Sequence, residues 1–128
     1  MASDSACDAF SVLPPETNVM ATTEELVRTY YAALDEHAYD DLRGVLDPEF
    51  VQERPDRTFE DRESFVAFMR DDRPNADTTH EIDGVIVDDS RVVVEGRLFD
   101  SAGEELFRFA DVHTVDDERI VHLRTYTQ

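Results

Sequence analysis

The apolar positions fall into two regimes. Up to Asp72 they recur every three or four residues, and from Thr78 onward they alternate in twos. "TTEELVRTYYAALDEH" (22–37) offers Thr22 or Thr23 as N-cap and acids in the first turn. Leu26, Val27, Tyr30, Tyr31 and Leu34 then form one stripe, which predicts a helix. "AYDDLRGVLDPEF" predicts a second, short helix carrying Tyr39, Leu42, Val45 and Leu46, stopped at Asp47-Pro48. "FVQERP" (50–55) reads as a short strand. "DRESFVAFMRDD" (61–72) reads as a third helix, with Asp61 as N-cap, Phe65, Phe68 and Met69 on one face, and Pro74 as its end.

The alternating half contains "THEIDGVIV", "RVVVEGRLF", "EELFRFADVHTV" and "RIVHLRTYT". Acidic or Gly-containing turns separate these four strands, so they predict an antiparallel meander. Helices followed by strands predict an α+β domain: four long strands plus a short one, with three helices on one face.

Unbroken alternation across the last hairpin pairs Val115 with Ile120, His113 with His122, Asp111 with Arg124, and Phe109 with Tyr126, all on one face. Closing the preceding hairpin at Ala102-Gly103 sets Val94 against Asp111, Gly96 against Phe109, and Leu98 against Phe107. A bulge at Asp83-Gly84 restores Ile82 and His80 to the same face. The opposite face carries Glu95, Arg97 and Arg108, so the first face is expected beneath the helices. An unpaired buried charge costs several kcal/mol. Asp111 and Arg124 are therefore expected to pair across the strands, and His113 and His122 to share protons or water.

The chain has 128 residues, 41% of them hydrophobic, enough for one domain with a real core. No apolar run has the length of a membrane span. Residues 1–20 are polar and acidic, lack the features of a secretory signal, and read as a mobile arm before a domain over 21–128. Met1 and Met20 both qualify as start codons. The single Cys, Cys7, lies in that arm, so no internal disulfide is available and a cytoplasmic setting is expected.

Charge changes the picture further. There are 31 acidic residues against 12 basic ones, all of the latter Arg, for a net charge of −19. Such self-repulsion suits molar salt, where the Debye length falls to about 3 Å. The pattern resembles proteins of haloarchaea. It also excludes nucleic acid as an expected partner, because phosphate binding needs a basic patch. A zinc site from His80, His113, His122 and Asp111 is conceivable in geometry, but no short-range ligand spacing supports it. No metal and no other cofactor is implied.

"ELVRTYYAALDEHAYDDLRGVLDPEFV", "FEDRESFVAFMR" and "FADVHTVDDERIVHLRTY", in this order and spacing, resemble the SnoaL-like (polyketide cyclase-like) group of the nuclear-transport-factor-2-like superfamily. The resemblance covers about residues 22–127. It implies a cone: three helices over the concave face of a curved antiparallel sheet, enclosing a pocket, with a convex face that often forms a homodimer. Members isomerise ketosteroids, cyclise polyketides, dehydrate, hydrolyse epoxides, or bind without catalysis. It implies Asp111 as general acid/base and Tyr30 as a pocket residue. His80 and His113 loosely match the His pair of the dehydratases. Asp111 and Arg124 supply two parts of the Asp-Arg-Asp arrangement of the epoxide hydrolases.

The expected function is a small-molecule pocket acting on an apolar oxygenated ligand, or a non-catalytic binding or dimerisation module. Asp111, His113, Arg124 and His122 are the expected catalytic group. Tyr30, Phe65, Phe68, Met69, His80, Val94, Phe109 and Tyr126 are the expected ligand walls. Val112, Val121 and Leu123 are expected on the outer, dimer-forming face.

Overall fold

The computed structural model describes residues 22–73 and 75–128. The arm with Cys7 and Met20, and the helix stop at Pro74, lie outside these. Helix α1 (Thr23–Asp35) opens on a capping box. Thr22 Oγ1 accepts from the Glu25 amide and Glu25 Oε1 accepts from the Thr22 amide, each at 3.0 Å. Val27, Tyr30, Tyr31, Ala33 and Leu34 form its buried stripe. A corner at His37, with φ of 58°, turns the chain into α2 (Tyr39–Val45).

Strand β1 (Leu46–Glu53) follows at once and folds back on the two-residue β2 (Thr58–Phe59). The third helix begins as α3 (Arg62–Ala67), capped by Asp61 Oδ1 on the Ser64 amide. It ends as a wide π turn over Phe68–Asp72. Strands β3 (Thr79–Asp88), β4 (Arg91–Phe99), β5 (Glu105–Asp116) and β6 (Arg119–Thr127) form the expected meander.

The sheet runs β2-β1-β6-β5-β4-β3. It has six strands, and it is not wholly antiparallel, because β1 joins β6 in parallel. The expected strand at 50–55 is longer and starts earlier: α2 ends at Val45, and the Asp47-Pro48 stop falls inside β1. Register shifts interrupt β3 between Ile82 and Gly84 and the β5–β6 ladder between Thr114 and Val115. Such bulges add twist and bend a sheet. The helices cover one face, where Phe50, Phe65, Leu42, Leu46, Ile120, Leu123, Val92 and Val94 are fully buried. Among the described residues no helix is long and apolar enough to cross a membrane.

Gly96 matters to this packing. A Cβ there would lie 2.6 Å from the Glu81 carbonyl oxygen and 2.7 Å from Cζ of Phe109, its partner across the β4–β5 ladder. The Phe109 ring therefore rests on a strand that only glycine leaves clear. Gly96→Ala should displace that ring and cost about 1–3 kcal/mol, typical of overpacking. Chemical denaturation at fixed salt measures it; an unchanged midpoint would refute the close-packing argument.

Candidate active site

The site grows from the last hairpin. Asp116 pairs with Arg119 across a two-residue turn, Asp117-Glu118, whose φ values of 52° and 62° fit the primed turns of tight hairpins. Val115 faces Ile120 as expected. Val121 is then an extra residue, and everything beyond it is shifted by one: His113 faces Leu123, Asp111 faces Thr125, and Phe109 faces Thr127. The gain is plain. Leu123 becomes fully buried, while two polar side chains leave the core.

The shift corrects the expected site. His122 and Arg124 are on the outer side, where both bind Glu53 of β1: His122 Nε2 lies 2.6 Å from Oε2, and Arg124 Nη2 lies 3.0 Å from Oε1. Bonds from His122 and then Arg124 hold the Glu53 carboxyl below its usual range. The expected Asp111–Arg124 pair and the His113–His122 couple are absent. Tyr126 is also turned out, 51% exposed. Leu123, expected on the outer face, is core.

Asp111 and His113 remain inside, on alternate positions of β5, and both are buried. They are joined by Tyr31 of α1, which the sequence reading passed over in favour of Tyr30. The Tyr31 hydroxyl lies 2.6 Å from Asp111 Oδ2 and 2.8 Å from His113 Nε2. One hydroxyl carries one hydrogen, so its two neighbours must play opposite parts. If Tyr31 donates to Asp111, His113 donates to Tyr31. If Asp111 carries the proton and donates, Tyr31 donates to His113. The chain can thus hold its protons in two ways.

Burial sets the acidities. It pushes the Asp111 carboxyl up, with the Tyr31 hydrogen bond opposing in part. It pulls His113 down from 6.5 to about 3, so this imidazole is neutral in neutral solution. Burial, then the Asp111 charge, raises the Tyr31 phenol well above its ordinary value. Asp111 Oδ1 and His113 Nδ1 are buried with no partner among the described residues.

A second pair stands alongside. Asp35, in the last turn of α1, accepts from the His80 backbone amide at 3.0 Å and faces His80 Nδ1 at 2.6 Å. Facing a carboxylate, Nδ1 carries its proton. Asp35 had a legible signal: a carboxylate at a helix C-terminus opposes the dipole there, and α1 has no basic residue in its last turn.

A cavity of about 480 Å³ lies beside these groups. Asp111, His80 and Tyr30 reach it, as do Phe68, Met69 and Phe109. Phe65 and Val94 do not; both are fully buried core, Phe65 stacked on Tyr30 at 6.1 Å. Gln52, Arg54, Arg73 and Thr125 complete the polar wall. The chain's four buried side-chain atoms without partners among the described residues are Gln52 Oε1, Arg73 Nε, Asp111 Oδ1 and His113 Nδ1. Three of the four belong to cavity-lining residues. Leaving such an atom unmet costs about 1–3 kcal/mol, so this cost is concentrated in residues of the cavity wall. Among the described residues no group of three or more His, Cys, Asp or Glu is arranged to hold a metal.

Three solved structures illustrate the likeness of the fold. A nuclear-transport-factor-2-like protein of unknown function from Cytophaga hutchinsonii is 15% identical over 88% of this chain and 95% of its own, with a TM-score of 0.75. A protein provisionally named a SnoaL-like polyketide cyclase, from Jannaschia, is 17% identical over 90% and 91%, with a TM-score of 0.73. An epoxide hydrolase of the LEH-like kind from M. tuberculosis is 20% identical over 83% and 82%, with a TM-score of 0.69. At such identities the likeness speaks for the fold alone. No curated protein sequence matches the chain significantly. The SnoaL-like domain family matches residues 27–123, most of the chain and every element from the body of α1 to the middle of β6, and the chain belongs to that family.

Proposed function

We propose that the cavity binds a small, largely apolar, oxygenated molecule and that Asp111 exchanges a proton with it. The single observation behind this is the buried chain Asp111–Tyr31–His113, with Asp111 at the cavity wall. A structural salt bridge would explain a buried carboxylate more simply, but no cation is within ion-pair reach of Asp111 among the described residues. Its raised pKa brings it nearer to that of a group that can both take and give a proton. Tyr31 and His113 support the ionised form of Asp111: Tyr31 donates to the carboxylate while neutral His113 donates its Nε2–H to the Tyr31 oxygen. Phe68, Met69, Phe109 and the half-exposed Leu106 and Phe107 supply an apolar wall and rim. The reaction class is proton transfer next to a carbonyl or hydroxyl, as in isomerisation, cyclisation or dehydration. The all-Arg, strongly acidic composition supports a working environment of high salt.

One observation favours an additional role for the other face. Ile86, Val93 and Val112 line up across β3, β4 and β5, and Ile86 is 63% exposed. This apolar row supports a homodimer through the outer sheet.

Wash-out of α-deuterium from 2-tetralone, followed by NMR in molar KCl, tests the first reading. The wild type should accelerate it. Asp111→Asn should lose a factor of about 10² or more, typical of a general base, with its melting temperature retained; Tyr31→Phe should fall between. Full exchange by Asp111→Asn would refute the role of Asp111. Binding without exchange would leave a non-catalytic pocket.

His113 gives a pH test. The unfolded imidazole takes up a proton near 6.5, the folded one only near 3, so stability should fall as pH drops through that window. The loss is on the order of a few kcal/mol. Asp111 acts in the opposite sense: its raised pKa stabilises the fold in acid and that contribution fades as pH rises. His113→Gln should therefore flatten the acid-side decline. An identical slope in that variant would mean that His113 titrates normally. For the outer face, sedimentation in molar salt should show a dimer that Ile86→Asp converts to monomer; a monomeric wild type would remove that reading.

A further inference from the structure

The polar wall of the cavity carries an uneven charge. In a chain of net charge −19, the groups facing the cavity include two guanidiniums, Arg54 and Arg73. Nearly every Arg elsewhere is matched to a carboxylate: Arg28, Arg43, Arg57, Arg62, Arg70, Arg97, Arg108 and Arg124 all have one within ion-pair distance. Arg54 shares Asp56 with Arg57, at 3.2 and 3.4 Å, so that trio keeps one positive charge. Arg73 has no carboxylate within ion-pair distance among the described residues, although it is only partly exposed.

Arg73 is also held in place. The π turn ends on its amide, which bonds the Phe68 carbonyl at 2.9 Å. Its Nη2 donates to the Leu34 carbonyl at 3.2 Å, at the end of α1, and to the Tyr39 hydroxyl at 3.1 Å. These bonds fix the guanidinium without neutralising it. Nε remains buried with no partner among the described residues. Tyr30, on the same cavity wall, feels both arginines as well as Asp111. A fixed guanidinium on a cavity wall, with no carboxylate partner among the described residues, is a receptor for an anionic oxygen. Acidic neighbours do not stand in the way: Asp56 is taken up by two arginines, and burial favours the protonated form of Asp111.

We propose that the ligand of this cavity is an apolar molecule bearing a carboxylate, and that Arg73, with Arg54 beside it, receives that carboxylate. The inference rests on the reading of the cavity as a ligand site. It adds a specificity that proton transfer by Asp111 does not require. Buried charge pairs are screened less than surface ones, so the preference should persist in concentrated salt.

Calorimetric titration in molar KCl with 2-naphthoate and 2-naphthamide separates the two ideas. The amide reports whether the cavity takes a ligand; the difference between acid and amide reports the arginines. Wild type should bind the acid at least about tenfold more tightly, equivalent to 1.4 kcal/mol. Arg73→Gln should abolish that difference and leave amide affinity within about twofold, while Arg54→Gln should reduce it. Arg91→Gln, on the outer side of the sheet, removes the same charge from the chain and should leave the preference intact. Should Arg73→Gln unfold, the Arg54→Gln result alone decides. Equal affinity for both probes in the wild type, or an undiminished preference in both cavity variants, would overturn the proposal while sparing the ligand site. Binding of neither probe would remove both.

Discussion

The bonds of Tyr31 to Asp111 and His113 tie the helical layer to the sheet where a carboxyl and an imidazole are buried side by side. A carboxyl and an imidazole on the same face of β5 could not remain buried without partners, and α1 supplies a single hydroxyl that serves both. That requirement fixes the rotation of α1 about its axis. With Tyr31 over β5, Tyr30 is carried against Phe65 and the cavity, and Asp35 is carried to the start of β3, where it holds His80. The cavity is what remains beyond the reach of these contacts.

Much of this was legible beforehand, and the part that was not has a definite cause. Strands β3 to β5 followed the expected register, including the bulge at Asp83-Gly84 and the pairing of Gly96 with Phe109, up to Leu98 and Phe107. Only at the turn does the ladder shift, setting Phe99 against Glu105 and not Leu106. The last strand broke the rule by one residue. Counting from the turn, His122 and Arg124 fall inside and Leu123 outside; the extra residue at Val121 reverses them. Two facts in the sequence argue for that reversal: burying Leu123 is favourable, and burying His122 with Arg124 is costly. The apparent match of Asp111 to Arg124 concealed both. Glu53, the real partner of Arg124, was out of sight because β1 pairs with β6 in parallel, a contact that no hairpin announces.

Tyr31 was hidden for a different reason. It and Tyr30 sit on the same apolar stripe, and helical periodicity cannot say which of two adjacent tyrosines meets a polar group. Asp35 was more accessible to reasoning, since a carboxylate in the final turn of α1 opposes the helix dipole and asks for a compensating contact. Arg73 could not have been singled out among twelve arginines without knowing where the carboxylates go.

The distribution of charge bears on what the cavity can accept. On the surface, carboxylates outnumber guanidiniums heavily, and most arginines are consumed in exposed pairs of small net worth. Inside, the balance is different: one carboxyl is driven toward its neutral form, one imidazole is kept neutral, and a guanidinium is fastened through Nη2 to neutral oxygens. A long-range field from so acidic a surface repels anions at low ionic strength, and concentrated salt removes that field while leaving short, dry contacts nearly intact. An acidic shell and the proposed anion-receiving cavity are therefore compatible at high ionic strength. Selectivity for a carboxylate-bearing ligand would then depend on the placement of Arg73 and Arg54 at the cavity wall, and not on the overall charge of the chain.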